Sequence, residues 1–149
     1  MSSTAVITGA SRGIGRAISL RLAQLGYNVF LLARNEDALK DLAAECKGMN
    51  AGADYLAGEL TDEAYMDRAV QSAAEAFGSI DVLVNNAGAV RREAVQDADT
   101  SAWREVMDLN FQAVVYLSRM ILPGMIERKS GCIINMSSIS GRTTAAGNA

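Results

Sequence analysis

Short apolar runs of strand length recur along the chain at residues 5–8, 28–32, 53–57, 80–84 and 132–136. Between them apolar residues return every three or four positions, the period of a helix with one buried face. Ile14, Ala17, Ile18, Leu22 and Leu25 fall on one side of a first helix that Gly26 stops. Leu39, Leu42, Ala43 and Cys46 make the stripe of a second. Tyr65, Met66, Ala69, Val70, Ala73 and Phe77 make the stripe of a third, entered through the capping run Thr61, Asp62, Glu63 and closed by Gly78. A fourth starts near Thr100 and carries Trp103, Val106, Met107, Ala113, Val114, Leu117 and Ile121 on its apolar side, with Pro123 expected to kink or end it. Strands this apolar, alternating with helices, belong in a parallel sheet covered on both faces. Right-handed crossovers then predict an α/β fold, a doubly wound sheet of about five strands that takes ligands at the carboxyl ends of its strands.

Composition narrows the picture. A chain of 149 residues fits one domain, 1–149, and buries roughly 70% of its unfolded surface. A net charge of -3 with scattered arginines gives no basic field for nucleic acid or for an anionic membrane. The expected partners are therefore small molecules and other protein subunits. The start of the chain has no basic segment leading into a cleavable apolar one, and no apolar run reads as long enough to cross a bilayer, so the expectation is a soluble, cytoplasmic protein with no membrane partner. Cys46 and Cys132 lack metal-ligand spacing and are expected to be buried thiols. The absence of histidine removes Ser-His-Asp and Cys-His catalysis and the commonest zinc ligand, and no metal site is expected.

Two stretches carry candidate chemistry. Thr8 to Gly15 reads Thr-Gly-Ala-Ser-Arg-Gly-Ile-Gly between the first strand and the first helix, with glycines at Gly9, Gly13 and Gly15. A backbone that turns on glycines into a helix offers unpaired N–H groups and a positive dipole end, which suits a phosphate. A tight turn with no ligand would use the same residues. It is not a phosphate loop of the ATPase kind, because Arg16 follows the last glycine in place of a Lys-Ser/Thr pair. The second stretch, Asn85-Asn86-Ala87-Gly88, ends a buried strand next to the switch point of the sheet.

With Asn110 and the run Ile134-Asn135-Met136-Ser137-Ser138, these motifs make the chain resemble the short-chain dehydrogenase/reductase family from about Thr4 to its last residue. The resemblance implies a Rossmann-type sheet, a nicotinamide cofactor and interconversion of a carbonyl and an alcohol by hydride transfer. It implies cofactor contacts from Gly9, Ser11, Arg12, Gly13, Ile14, Gly15, Arg34, Glu59, Leu60, Asn86, Ala87 and Gly88. The second strand ends at Ala33, with no carboxylate there for an adenosine 2′-hydroxyl, and Arg34 follows. Arg34 and Arg12 could grip a 2′-phosphate from two sides, which points to NADP (NADPH); as solvated surface charges they would have no such role. Glu59 stands where the family usually has aspartate near the adenine. Asn110 is a polar residue in an apolar stripe, explained either by a structural amide or by the family's role for it, bending the helix and holding a water of the proton relay. Ser138, with Ser137 as the alternative, is the serine that in the family hydrogen-bonds the substrate carbonyl.

The family's acid–base chemistry uses a tyrosine and a lysine four residues later. Here Leu31, Glu59, Ala69 and Met120 follow the four tyrosines at that spacing. Residues 139–149 resemble the family's approach to that tyrosine. The expectation is a reductase portion truncated relative to the family and catalytically incomplete as it stands; the alternative is a non-catalytic nucleotide-binding module that complements another subunit. The resemblance implies a sheet that continues past 132–136, leaving an exposed apolar edge here, and a fourth helix that helps form subunit contacts, so a homo-oligomer is expected; Arg104, Glu105 and Arg119 fit a solvated face of that helix equally well. Arg128 and Lys129 resemble the basic spot by which 3-oxoacyl carrier-protein reductases meet their acidic carrier, while a solvated helix end accounts for them as well.

Overall fold

Five parallel strands form one sheet in the order β3-β2-β1-β4-β5 in the computed structural model, which describes residues 2–91 and 94–139. In chain order the elements are β1 (Thr4–Thr8), α1 (Gly13–Gln24), β2 (Asn28–Ala33), α2 (Glu36–Lys47), β3 (Ala53–Ala57), α3 (Glu63–Phe77), β4 (Val82–Asn85), α4 (Thr100–Met107), a π-helical turn (Asp108–Gln112), α5 (Ala113–Arg128) and β5 (Cys132–Asn135). Alternate residues of each strand face opposite sides, so the core is double. Ala5, Ile7, Val29, Leu31 and Val84 pack with α2 and with the inner side of α1. Val6, Phe30, Leu32 and Leu83 pack with α3 and α5. Because β1 lies between β2 and β4, the chain reverses its direction of travel across the sheet between β1 and β4, and a crevice opens at the carboxyl ends of those two strands.

The stripes expected for the second and third helices are the ones buried: Leu39, Leu42, Ala43 and Cys46 on α2, and Tyr65, Met66, Ala69 and Ala73 on α3, with Val70 and Phe77 partly covered. Asp62 caps α3, its carboxylate accepting from the Ala64 N–H at 2.9 Å. The first helix departs from its apolar pattern. Its buried residues are Gly15, Ser19 and Ala23, whereas Ile14 is 62% exposed and Ala17 and Leu25 also face outward. Small residues win that face because α1 lies close against the glycine turn, and Ser19 can be buried because its hydroxyl donates to the Gly15 carbonyl at 2.8 Å.

The fourth helix also differs. Helical structure runs without interruption from Thr100 to Arg128, past Pro123, which lies on the exposed side where water can replace a lost N–H partner. The π-turn inserts an extra residue and rotates the register, so Ala102, Ala113, Leu117, Ile121 and Met125 are buried while Trp103 and Met107 turn outward. This 29-residue run has an 18-residue window of mean hydropathy 1.2, enough in length and composition to cross a membrane, contrary to the expectation from the sequence. Here Ala113, Leu117, Ile121 and Met125 pack into the core, whereas Phe111, Val115, Leu122 and Ile126 stay exposed. Cys46 is buried, and burial, helped by the nearby Glu45 carboxylate, raises its thiol pKa. Cys132 is exposed, not buried as expected, because β5 is the edge strand among the described residues.

Candidate active site

The glycine turn is shaped by what a side chain would hit. Gly9 has φ +64°, and a Cβ there would stand 3.0 Å from the Ala87 Cα and from the Asn86 Nδ2. A Cβ on Gly15 would run into the carbonyl oxygen of Gly9. At Gly13 the opposite holds: nothing lies within 4 Å, so the turn presents bare backbone to open space. Helices α2, α3 and α4 are capped by the side chains of Asn35, Asp62 and Asp99. At α1 the N-cap residue is Arg12, which makes no side-chain cap, and the first turn holds no acid. An open cradle of backbone at the positive end of a helix, with no acid in that helix's first turn, fits a phosphate of a dinucleotide.

The two sequence motifs meet through Thr8. Its hydroxyl donates to the Val84 carbonyl at 3.3 Å and accepts from the N–H groups of Asn86 at 3.0 Å and Ala87 at 2.9 Å. In return the Asn86 amide donates to the carbonyls of Thr8 at 3.0 Å and Gly9 at 3.3 Å. The turn after β1 and the turn after β4 are thus one hydrogen-bonded unit. The pattern of the sequence carries one signal of this role for Thr8, a hydroxyl at the last position of a buried apolar strand.

Around this unit, Ser11 is half-buried, and Arg12 and Ile14 are exposed beside the turn. Arg34 follows β2 and lies 3.6 Å from the Glu59 carboxylate, which follows β3. Leu60 is buried against α3 and α5. Leu60 also borders a cavity of about 320 Å³ that includes Thr61, Asp108 and Gln112. Among the described residues no group of three His, Cys, Asp or Glu side chains is arranged to hold a metal.

Asn110 sits in the π-turn and is exposed, not in the apolar stripe where the sequence suggested it. The rotation of register moves it toward the segment after β4. There its Oδ1 accepts from the Ala89 N–H at 2.9 Å and its Nδ2 donates to the Ala89 carbonyl at 2.7 Å. The amide leaves little room over Gly88, where a Cβ would be 3.2 Å from Oδ1. Asn110 also lines a cavity of about 300 Å³ with Val90, Trp103 and Met107.

Ser137 and Ser138 follow β5 at the same end of the sheet and are exposed. The strand is aligned by Asn85, whose amide donates to Asn135 Oδ1 at 2.8 Å while its backbone carbonyl accepts from the Met136 N–H at 2.9 Å. Residues 140–149, most of the stretch likened to the approach to a catalytic tyrosine, lie outside the described residues. Tyr65 is a core phenol: it donates to the Leu56 carbonyl at 2.7 Å, and burial raises its pKa. Tyr116 donates to Asp67 at 2.9 Å, a bond that likewise raises its pKa.

Comparison with known proteins agrees with this geometry. The family model described as short chain dehydrogenase matches residues 3–149. The chain is 37% identical over 138 residues to an uncharacterized oxidoreductase of Staphylococcus saprophyticus, covering 92% of this chain and 59% of that protein. It is 35% identical over 150 residues to the 3-oxoacyl-[acyl-carrier-protein] reductase FabG of Staphylococcus aureus, covering 100% of this chain and 61% of that one. A short chain dehydrogenase of Pseudocercospora fijiensis is 38% identical over 138 residues, 91% of this chain and 45% of its own length. The chain thus spans about three fifths of the length of the two bacterial relatives. With its glycine turn, its Asn-Asn-Ala-Gly run and its five-stranded parallel sheet, the chain belongs to the short chain dehydrogenase family, oxidoreductases that work with nicotinamide cofactors.

Proposed function

We propose that this chain is the NADP(H)-binding portion of a reductase that interconverts a carbonyl and an alcohol. The observation that carries the reading is the Thr8-centred unit, which joins an uncapped helix N-terminus to the Asn86–Ala87 turn at the switch point of the sheet. NADPH, when bound, supplies the hydride. The backbone of Gly13, Ile14 and Gly15 would hold its pyrophosphate, and Arg12 and Arg34 its 2′-phosphate. Gly9, Asn86, Ala87 and Gly88 would shape the floor on which the cofactor lies, with Ser11 and Leu60 at its flanks. Ser138 would donate to the substrate carbonyl, with Ser137 beside it. Asn110 would hold the segment after β4 in place through Ala89 and keep the proton path ordered.

Proton transfer needs a phenol whose pKa is lowered by a nearby ammonium, and no Tyr-x-x-x-Lys occurs in the sequence. In this reading the 149 residues are the amino-terminal part of the catalytic unit and are inactive alone. The substrate is a small carbonyl or alcohol, and the likeness to a 3-oxoacyl-[acyl-carrier-protein] reductase over the whole chain favours a carrier-bound acyl group. Arg128 contributes little to such docking, since its guanidinium donates to the Ile80 carbonyl at 2.8 Å and lies 3.9 Å from Asp81. Exposed Phe111, Val115, Leu122 and Ile126 on the outer side of the long helix support self-association. Two free thiols support a reducing, cytoplasmic compartment.

Fluorescence titration of the purified chain with NADPH and NADH tests the reading. Tighter NADPH binding is expected; equal or tighter NADH binding refutes the assignment of Arg12 and Arg34. Turnover of NADPH with a carbonyl by the 149-residue chain alone would refute the claim that it lacks its acid–base pair.

A further inference from the structure

Arg34 does not stand alone at the end of β2. The parallel register sets Ala33 opposite Ala57, and the Gly58 N–H donates to the Ala33 carbonyl at 3.0 Å. The backbone on either side of Glu59 is held. Gly58 is pressed against the ring of Tyr65, leaving no room for a Cβ, and Leu60 is buried in the core. The Glu59 carbonyl accepts from the Asp62 N–H at 3.1 Å, in the turn leading into α3. The carboxylate is therefore presented beside the Arg34 guanidinium, 3.6 Å away, with both side chains largely exposed (58% and 74%).

We propose that Glu59 is a specificity-determining residue that competes with the cofactor's 2′-phosphate for Arg34, and so lowers the preference for NADPH over NADH. The inference rests on the reading of Arg34 as a 2′-phosphate ligand. The guanidinium can grip a phosphate only by turning its donors away from the carboxylate, and a phosphate held there stays close to a like charge. A 2′-hydroxyl carries no charge and meets neither penalty. A single glutamate at the end of β3 thus tunes a choice made at the end of β2. Both groups are in contact with water, so the competition weakens as salt screens it.

The test is titration of the full 149-residue chain with NADPH and with NADH, in the unsubstituted protein, in Glu59→Gln, in Arg34→Ala and in Glu59→Gln/Arg34→Ala, at low and high salt. The expected result for Glu59→Gln at low salt is an NADPH-to-NADH affinity ratio raised about threefold to tenfold. The rise shrinks in about 0.5 M salt, where the screening length falls to roughly 4 Å. In the Arg34→Ala background the same substitution raises the ratio by a clearly smaller factor. An unchanged or lowered ratio in Glu59→Gln overturns the proposal, as does an equal rise without Arg34, which would mean direct repulsion only. Neither result disturbs the cofactor reading if the unsubstituted protein binds NADPH. If that protein binds neither dinucleotide, the reading and the proposal fall together.

Discussion

Replacing Thr8 by valine keeps the shape of the side chain and removes its oxygen. That oxygen serves three hydrogen bonds, to the Val84 carbonyl and from the Asn86 and Ala87 N–H groups. Thr8 itself is buried, and the two N–H groups belong to half-buried residues. Each hydrogen bond contributes about 0.5–1.5 kcal/mol net, and a donor left without a partner away from water costs about 1–3 kcal/mol. The Asn86 N–H also donates to the Val84 carbonyl at 3.1 Å, so the Ala87 donor alone is left without a partner; with three bonds lost and partial access of water to that donor, Thr8→Val is expected to cost about 2–4 kcal/mol. For a chain of this length that lowers the midpoint of thermal unfolding by roughly 5–15 °C. Thr8→Ser provides the contrast, since it keeps the hydroxyl and loses one methyl, a cost of about 1 kcal/mol. Urea unfolding followed by circular dichroism measures both, with equal m-values required for the comparison. Size and hydrophobicity alone would make valine the milder change. If Thr8→Val is at least as stable as Thr8→Ser, the hydroxyl does not hold the two turns together and the account of the site is wrong.

Other outcomes follow from the same geometry. Gly15→Ala should destabilise by about 1–3 kcal/mol despite alanine's better helix propensity, because the new Cβ meets the Gly9 carbonyl; Asn86→Ala should fail to rescue it, and rescue in urea unfolding would contradict the assignment. Asn110→Ala should speed hydrogen exchange at the Ala89 amide, with residues of β2 as an internal control that stays protected. Asp99 caps α4 and accepts from the Ser101 hydroxyl and N–H, bonds that hold its carboxyl below the usual range. A lowered folded pKa means that the ionised form is the one favoured by folding. Its contribution is therefore present above the ordinary carboxylate pKa and lost as pH falls through the lowered value. The stability difference between wild type and Asp99→Asn should accordingly shrink in acid, and a difference that grows there would count against the cap.

The succession of strands and helices, the parallel sheet and the position of the glycine turn were legible in the sequence alone. These depend on short-range facts: apolar runs, a helical period, and glycines where the chain must turn tightly between them. The stripes of α2 and α3 were legible for the same reason, since each is an uninterrupted helix laid on the sheet by one apolar face. Tertiary structure decided what depends on a second segment of chain. The inner face of α1 carries Gly15, Ser19 and Ala23, and at Gly15 the turn beneath leaves no space even for a Cβ; hydropathy does not register how close two backbones come. The π-turn at Asp108–Gln112 shifted the long helix by a fraction of a turn, so residues on either side of it no longer share the face that a constant period assigns. Cys132 is exposed because β5 has one neighbouring strand among the described residues, which its own apolar sequence does not encode. Thr8, the hinge of the candidate site, became visible only when the turn after β4, more than seventy residues away in sequence, came within reach of its hydroxyl.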